Sequence, residues 1–235
     1  LNNPITTDWL PWLATNYKWE NNNKKLLFTI RPNVQWSDGE PFSAHDVAYT
    51  LNLWKEYPAL DTRNAWEYLK SVVAVSDTLV QIDFKRIYVP GFEAIAGAPI
   101  IPKHIWEELK DPLDFSNPNP VGTGPFTEIL RFNTQVWELG KNHNYWQAGK
   151  PYVEKLIFPT FSSNEQTTLA LLSGKLDWAG AFIPAIQRIF VDKDPEHHHY
   201  WFRNTGYSTF LHTNTKDPIL KDSNVRKAIS YAINR

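Results

Sequence analysis

The sequence predicts an α/β protein with a hairpin-rich, mixed α+β first half and a second half running β-α-β-α-β-α. Three observations carry this. Apolar residues alternate with period two in LLFTIRPNV (26–34), SVVAVSDTLVQIDF (71–84) and FTEILRFNTQVWEL (126–139). Helical spacing with cap signals recurs at 43–57, 163–173 and 222–235. Hydrophobic residues make up 42% of 235 and charged ones 21%, enough to bury a substantial core.

In LLFTIRPNV, Leu26, Phe28 and Ile30 share one face, and Pro32 stops regular pairing. Ser37-Asp38-Gly39 is a turn behind a tryptophan, Trp36, that reads as exposed. Ser43 caps the next helix, with Asp46 in the place where a capping box prefers Glu or Gln. Val47, Leu51 and Trp54 give that helix one buried stripe, and Pro58 ends it. His45, beside Asp46, has no catalytic partner and reads as a surface residue of the first turn. Two hairpins are expected, around Ser76-Asp77 and Asn133. Between them lie a short helix opened by Pro102 (101–110) and a structured loop rich in Pro and Gly (111–126).

KPYVEKLIFPTF (150–161) contains a strand, and Ser163-x-x-Gln166 opens a helix that stops at Gly174. LDWAG (176–180) is then expected as a strand, IPAIQRIFV (183–191) as a helix and GYSTFLHTNT (206–215) as a strand. A last helix, DSNVRKAISYAINR, is capped by Asp222 or Ser223.

Net charge is −1, so bulk electrostatics give no reason to expect a nucleic-acid or anionic-membrane partner. Cysteine is absent, which excludes disulfides, thiolate metal sites and a cysteine nucleophile. No apolar run approaches the roughly eighteen residues of a membrane span. Methionine is absent too, and the chain is expected to be an internal piece of a longer protein. His197-His198-His199 reads as a solvated loop, because adjacent histidines do not converge on one ion. Gly122-x-Gly124 precedes a strand and lacks the helix N-terminus of a phosphate cradle. Asp177, between Leu176 and Trp178, is the one acid inside an expected apolar strand, and no second carboxylate pairs with it for glycosidase chemistry. No catalytic residue, metal site or cofactor is expected. The 11 Trp, 10 Tyr and 13 Phe supply core volume, yet indoles and phenols also line pockets for sugars and peptides.

Six motifs occur in order: PWLATNYKW (11–19), FTIRPNVQWSDGEPFSAHDVAYTL (28–51), VGTGPF (121–126), NHNYW (142–146), SGKLDW (173–178) and NTKDPILKDSNVRKAISYAINR (214–235). Together they resemble the extracellular solute-binding proteins of family 5, the peptide- and nickel-type receptors of ABC importers. The resemblance spans essentially the whole chain. It implies a periplasmic-binding-protein-like class II lobe plus a family-specific accessory subdomain. Residues 1–149 would form the accessory subdomain and 150–235 part of the first ligand-binding lobe, ending near the crossing to a second lobe that is largely missing. Peptide-binding members hold the ligand's amino terminus with an aspartate in that second lobe.

The resemblance further implies a periplasmic or cell-surface protein, exported and in some members lipid-anchored. Such proteins act as monomers that hand a small-molecule ligand to a membrane permease, without enzyme activity. Ligands of α/β lobes sit beyond the carboxyl ends of strands, which points to LDWAGAF (176–182) and GYSTFLHT (206–213). The expected ligand-binding residues are Trp178, Phe182, Tyr207, Ser208 and Phe210, with Trp66 and Tyr68 as outer candidates; core packing is the competing reading for each aromatic. The Trp-richness, with DWAGAFIP and DPEHHHYWF, resembles members that take β-linked gluco- or manno-oligosaccharides. Oligopeptide is the alternative ligand, and a glycoside-acting enzyme the distant alternative function.

Overall fold

The computed structural model, which describes residues 3, 5, 6, 8–201 and 210–233, forms its first sheet where the alternation is strongest. Strands β1 (Ala14–Glu20), β2 (Lys25–Ile30), β3 (Leu69–Ser76) and β4 (Leu79–Phe84) pair antiparallel in the order β1-β2-β4-β3. Strand β1, in the PWLATNYKW stretch, was not expected from alternation. It is joined to β2 through Asn21, Asn22 and Asn23, all at positive φ, a region asparagine tolerates better than other residues with a Cβ. Register puts Leu26 opposite Ile82 and Phe28 opposite Val80, with Val72 next to Ile82 on β3. These side chains are buried, so one face of the sheet is core.

Helix α1 (Ala44–Glu56) covers that face, and its buried residues include Val47, Leu51 and Leu53. Burying each such side chain contributes roughly 1.5–3 kcal/mol. The capping box is complete. Ser43 Oγ accepts from the His45 amide at 3.2 Å, and Asp46 Oδ2 accepts from the Ser43 amide at 2.8 Å. Asp46 Oδ1 also accepts from the Lys103 amide at 3.0 Å, which ties α1 to α3 (Lys103–Trp106). A shorter side chain than Glu therefore serves two backbone donors from a buried position. Helix α2 (Gly91–Ala96) lies between β4 and α3 in sequence. Helix α3 is a single turn rather than the expected 101–110.

Trp36 corrects the exposed reading: it is 1% exposed, set edge-on against Phe42 with ring centres 5.6 Å apart. The reason lies in the turn. Trp36 N–H donates to Glu40 O and Gly39 N–H to Trp36 O, so Ser37–Gly39 loops out while the indole folds beneath. Asp38 finishes the turn, accepting from the Glu40 amide at 3.2 Å and meeting His104 Nε2 at 2.8 Å.

The second sheet is β5 (Phe126–Phe132), β6 (Val136–Lys141) and β7 (Lys155–Pro159), antiparallel in that order. Asn133 makes the expected turn, its Oδ1 accepting from the amides of Gln135 and Val136. Phe132, Trp137 and Phe158 are direct cross-strand partners and form an aromatic row across all three strands, with ring centres 5.8 and 6.0 Å apart. Glu138 sits between Arg131 and Lys155 on the opposite face.

Beyond β7 the expected β-α-β-α-β-α order is only partly present. Helix α4 (Asn164–Leu172) and helix α6 (Ser223–Ala232) form where expected, the latter capped by Asp222 Oδ1, which accepts from the Asn224 amide. LDWAG is not a strand, and Asp177 is exposed rather than enclosed in one. IPAIQRIFV shrinks to α5 (Ile186–Ile189) and a 3₁₀ turn (Val191–Lys193). Residues 210–214 are irregular; the rest of GYSTFLHTNT, through residue 209, lies outside the described residues. A short apolar run becomes a strand only when neighbours complete its hydrogen-bond ladder, and no described strand pairs with 176–180. The described residues fall into two compact units, one containing Asn3 and Asp8–Tyr200 and a smaller one containing residues 5, 6, 201 and 210–233. Among the described residues no helix is long and apolar enough to cross a membrane.

Candidate functional site

The segment carrying Trp178 and Phe182 takes its direction from the end of α4. Ser163 Oγ caps the start of that helix, accepting from the Gln166 amide at 3.3 Å. Gln166 reaches back one residue further than a capping box requires, accepting from the Ser162 amide and hydroxyl. At the far end Gly174 has φ +68, Lys175 N–H donates to Ala170 O and Gly174 N–H donates to Leu171 O. This is the 6→1 and 5→2 pair of a Schellman motif, and it turns the chain sharply out of the helix. The chain then runs as SGKLDWAGAF without regular structure.

Trp178 is 66% exposed and Phe182 is 74% exposed, so both offer uncovered ring faces. An exposed indole supplies an apolar plane with a polar N–H edge, the combination that suits a pyranose ring or a peptide plane. Phe210, in the smaller unit, is also exposed and lies 6.0 Å from the His212 ring. Tyr207 and Ser208 lie outside the described residues.

Trp66 and Tyr68 stand in a different environment. Trp66 Nε1 donates to Leu51 O at 2.6 Å and Lys55 Nζ lies 5.0 Å from its ring centre, so the indole is spent on holding α1. Tyr68 is 3% exposed, stacked on Phe84 at 6.1 Å and close to Tyr88 at 4.3 Å. Gly91 permits that packing, since a Cβ there would come within 2.9 Å of the Tyr68 ring. Burial pushes the Tyr68 phenol up to about 12, with Asp61 adding to the effect. The competing core reading therefore describes both residues.

The histidine run is structural in its described contacts. His198 stacks flat on Phe190 at 4.1 Å and meets its carbonyl through Nδ1 at 2.9 Å. His197 Nδ1 lies 3.0 Å from Asp194, and that hydrogen bond holds the Asp194 carboxyl below the usual carboxylate range. Among the described residues no three His, Cys, Asp or Glu side chains are grouped to hold a metal ion.

Comparison with solved structures gives the fold class: this is a mixed α/β chain of the periplasmic-binding-protein type. It superposes over its full length on the mannohexaose-bound oligopeptide ABC transporter binding protein of Thermotoga maritima, with TM-score 0.80 and 28% identity, covering 45% of that chain. The chain belongs to the bacterial extracellular solute-binding proteins, family 5, whose model matches residues 8–235. Curated relatives include the nickel-binding periplasmic protein of Escherichia coli K12, 27% identical over 96% of this chain and 44% of that protein. The oligopeptide-binding protein OppA of Bacillus subtilis is 25% identical over 95% of this chain and 44% of its own length. The chain thus spans less than half the length of the curated relatives it matches.

Proposed function

We propose that the protein carrying this chain captures a short oligosaccharide, β-linked and of gluco or manno type, outside the cytoplasmic membrane and delivers it to an ABC permease. The observation that carries this reading is the mannohexaose-bound relative, similar along the whole chain, together with an exposed indole at Trp178. Residues 1–149 are read as the accessory subdomain and 150–235 as part of the first ligand-binding lobe. In this reading Trp178 and Phe182 supply stacking faces, and Phe210, Tyr207 and Ser208 of GYSTFLHT supply further ligand contacts. The protein acts as an exported monomer, lipid-anchored in the manner of some family members. No bond is made or broken: ligand bridges two lobes and shifts the population toward the closed state.

Oligopeptide capture is the second reading, favoured by the similarity to OppA. A thermal-shift screen of the intact protein against manno- and gluco-oligosaccharides and against short peptides separates the two. A ligand that binds only the folded state raises Tm by mass action. Stabilisation by oligosaccharides and none by peptides is the expected result, and the reverse pattern overturns the sugar assignment. Product formation from the same sugars would instead establish an enzyme.

A further inference from the structure

A concave site lies well apart in sequence from the Trp178 segment, between α1, the 3₁₀ turn Pro58–Leu60 and the approach to α3. It is a hollow of about 260 Å³, open to solvent on one side, lined by Leu53, Trp54, Leu60, Arg63, Ile101 and Trp106, with Thr50, Thr62 and Pro99 at its margin. That volume is just below the range of sites for drug-sized ligands, so it suits a single ring with a short tail. The wall is mostly apolar, and two indoles dominate it.

Its one charged lining residue is Arg63. Arg63 Nη1 donates to Glu93 O at 3.2 Å and to Ala94 O at 3.1 Å, so two carbonyls of α2 fix the guanidinium in place. Gly97 lies under it: a Cβ at Gly97 would sit 3.0 Å from Nη1. The arginine ion pairs among the described residues are Arg86–Glu67 and Arg131–Glu138, and Arg63 makes none. The nearby acid, Asp61, has both oxygens engaged, accepting from the amides of Ala65 at 2.7 Å and Trp66 at 3.0 Å. Arg63 therefore presents a positioned cation with unused donors beside an apolar hollow. An arginine fork held in this way matches a carboxylate.

We propose that this pocket is a binding site for a small apolar carboxylate, its ring or branched chain between Trp54 and Trp106 and its carboxylate on Arg63. The apolar body supplies affinity by leaving water, and the single cation sets the sign of charge accepted. A pocket this small favours weak binding, in the high-micromolar to millimolar range. The site is independent of the sugar reading, because none of its residues belongs to the ligand-binding set proposed above.

The test uses the intact protein labelled with ¹⁵N at the indole nitrogens, titrated with 3-phenylpropionate and separately with its neutral amide. Indole signals assigned through Trp54→Phe and Trp106→Phe variants are expected to shift with the acid, and the amide is expected to bind about tenfold more weakly. Arg63→Gln should erase that preference, while Arg63→Lys should retain part of it. Equal shifts from acid and amide would overturn the carboxylate assignment. No movement of either indole with the acid up to about 20 mM, well above the affinity expected of so small a pocket, would overturn the site itself. An oligosaccharide titration run alongside reports on the other site, so failure of one reading leaves the other measurable.

Discussion

At the scale of single residues, Asp46 joins the start of its own helix to a segment distant in sequence. Its two oxygens accept from the amides of Ser43 and Lys103, and it is buried. Asp46→Ala leaves both donors without that partner. The expected loss is about 2–4 kcal/mol, read as a lower urea midpoint at unchanged slope. Tyr68 works in the opposite sense. Its hydroxyl is buried and makes no hydrogen bond to the protein, so Tyr68→Phe removes a polar atom without orphaning a partner. Stability at pH 7 should change by less than about 1 kcal/mol. The folded-state phenol is raised from 10.0 to about 12. Its contribution is therefore full below pH 10 and is lost as pH rises toward 12, because the unfolded chain releases the proton first. Thermal melts across pH 9–12 should fall less steeply for Tyr68→Phe than for the parent; identical slopes would assign the alkaline loss to other groups.

At the scale of elements, the capped helices and the two hairpins were legible because their signals are local. Ser43-x-x-Asp46, Ser163-x-x-Gln166 and Asp222 mark α1, α4 and α6, and Asn133 marks the β5–β6 turn. Each signal acts within four residues, so neighbouring sequence is sufficient to specify it. Strand β1 was not legible because it is an edge strand with no fully buried side chain and so carries no clear apolar alternation. The fate of LDWAG was not legible because a strand exists only where a partner completes its ladder. The start of α3 is also held by a distant residue, Asp46 Oδ1 accepting from the Lys103 amide. Gly174 offers a direct test of local control. A Cβ there would meet nothing within 4 Å, so only the positive φ opposes substitution. Gly174→Ala should cost about 1 kcal/mol and increase hydrogen exchange in the last turn of α4, with the sheets unaffected. A loss several times larger would mean that the exit angle of 175–182 is coupled to the rest of the unit.

At the scale of the whole molecule, the acidic turn and the aromatic segment have separable roles. Asp38 closes its own turn and reaches His104, whereas Trp178 makes an exposed plane. Under the proposed function, Asp38→Ala in the intact protein should lower Tm and leave ligand affinity within about twofold. Trp178→Ala should leave Tm nearly unchanged and weaken affinity by about tenfold, the order of one lost stacking face. Calorimetry on both variants checks the contrast; a tenfold affinity loss from Asp38→Ala would place the turn at the ligand. Under the same proposal, in which the ligand bridges two lobes and these 235 residues supply part of one, a chain limited to them should bind the same ligand very weakly. Micromolar binding to the isolated chain would overturn that expectation.

The sequence by itself determined the family, through six motifs in fixed order, and determined the α1, α4 and α6 caps, the two expected hairpins and their turns. These depend on short-range hydrogen bonds and backbone preferences that each segment carries with it. Tertiary structure alone decided that Trp36 and Tyr68 are core and Trp178 and Phe182 are exposed, although all four are aromatic. It also decided that Arg63, unremarkable in the string DTRNAWEY, is held against an apolar hollow by the end of α2. Burial and the pairing of distant groups depend on what the rest of the chain brings alongside, and no local pattern records that.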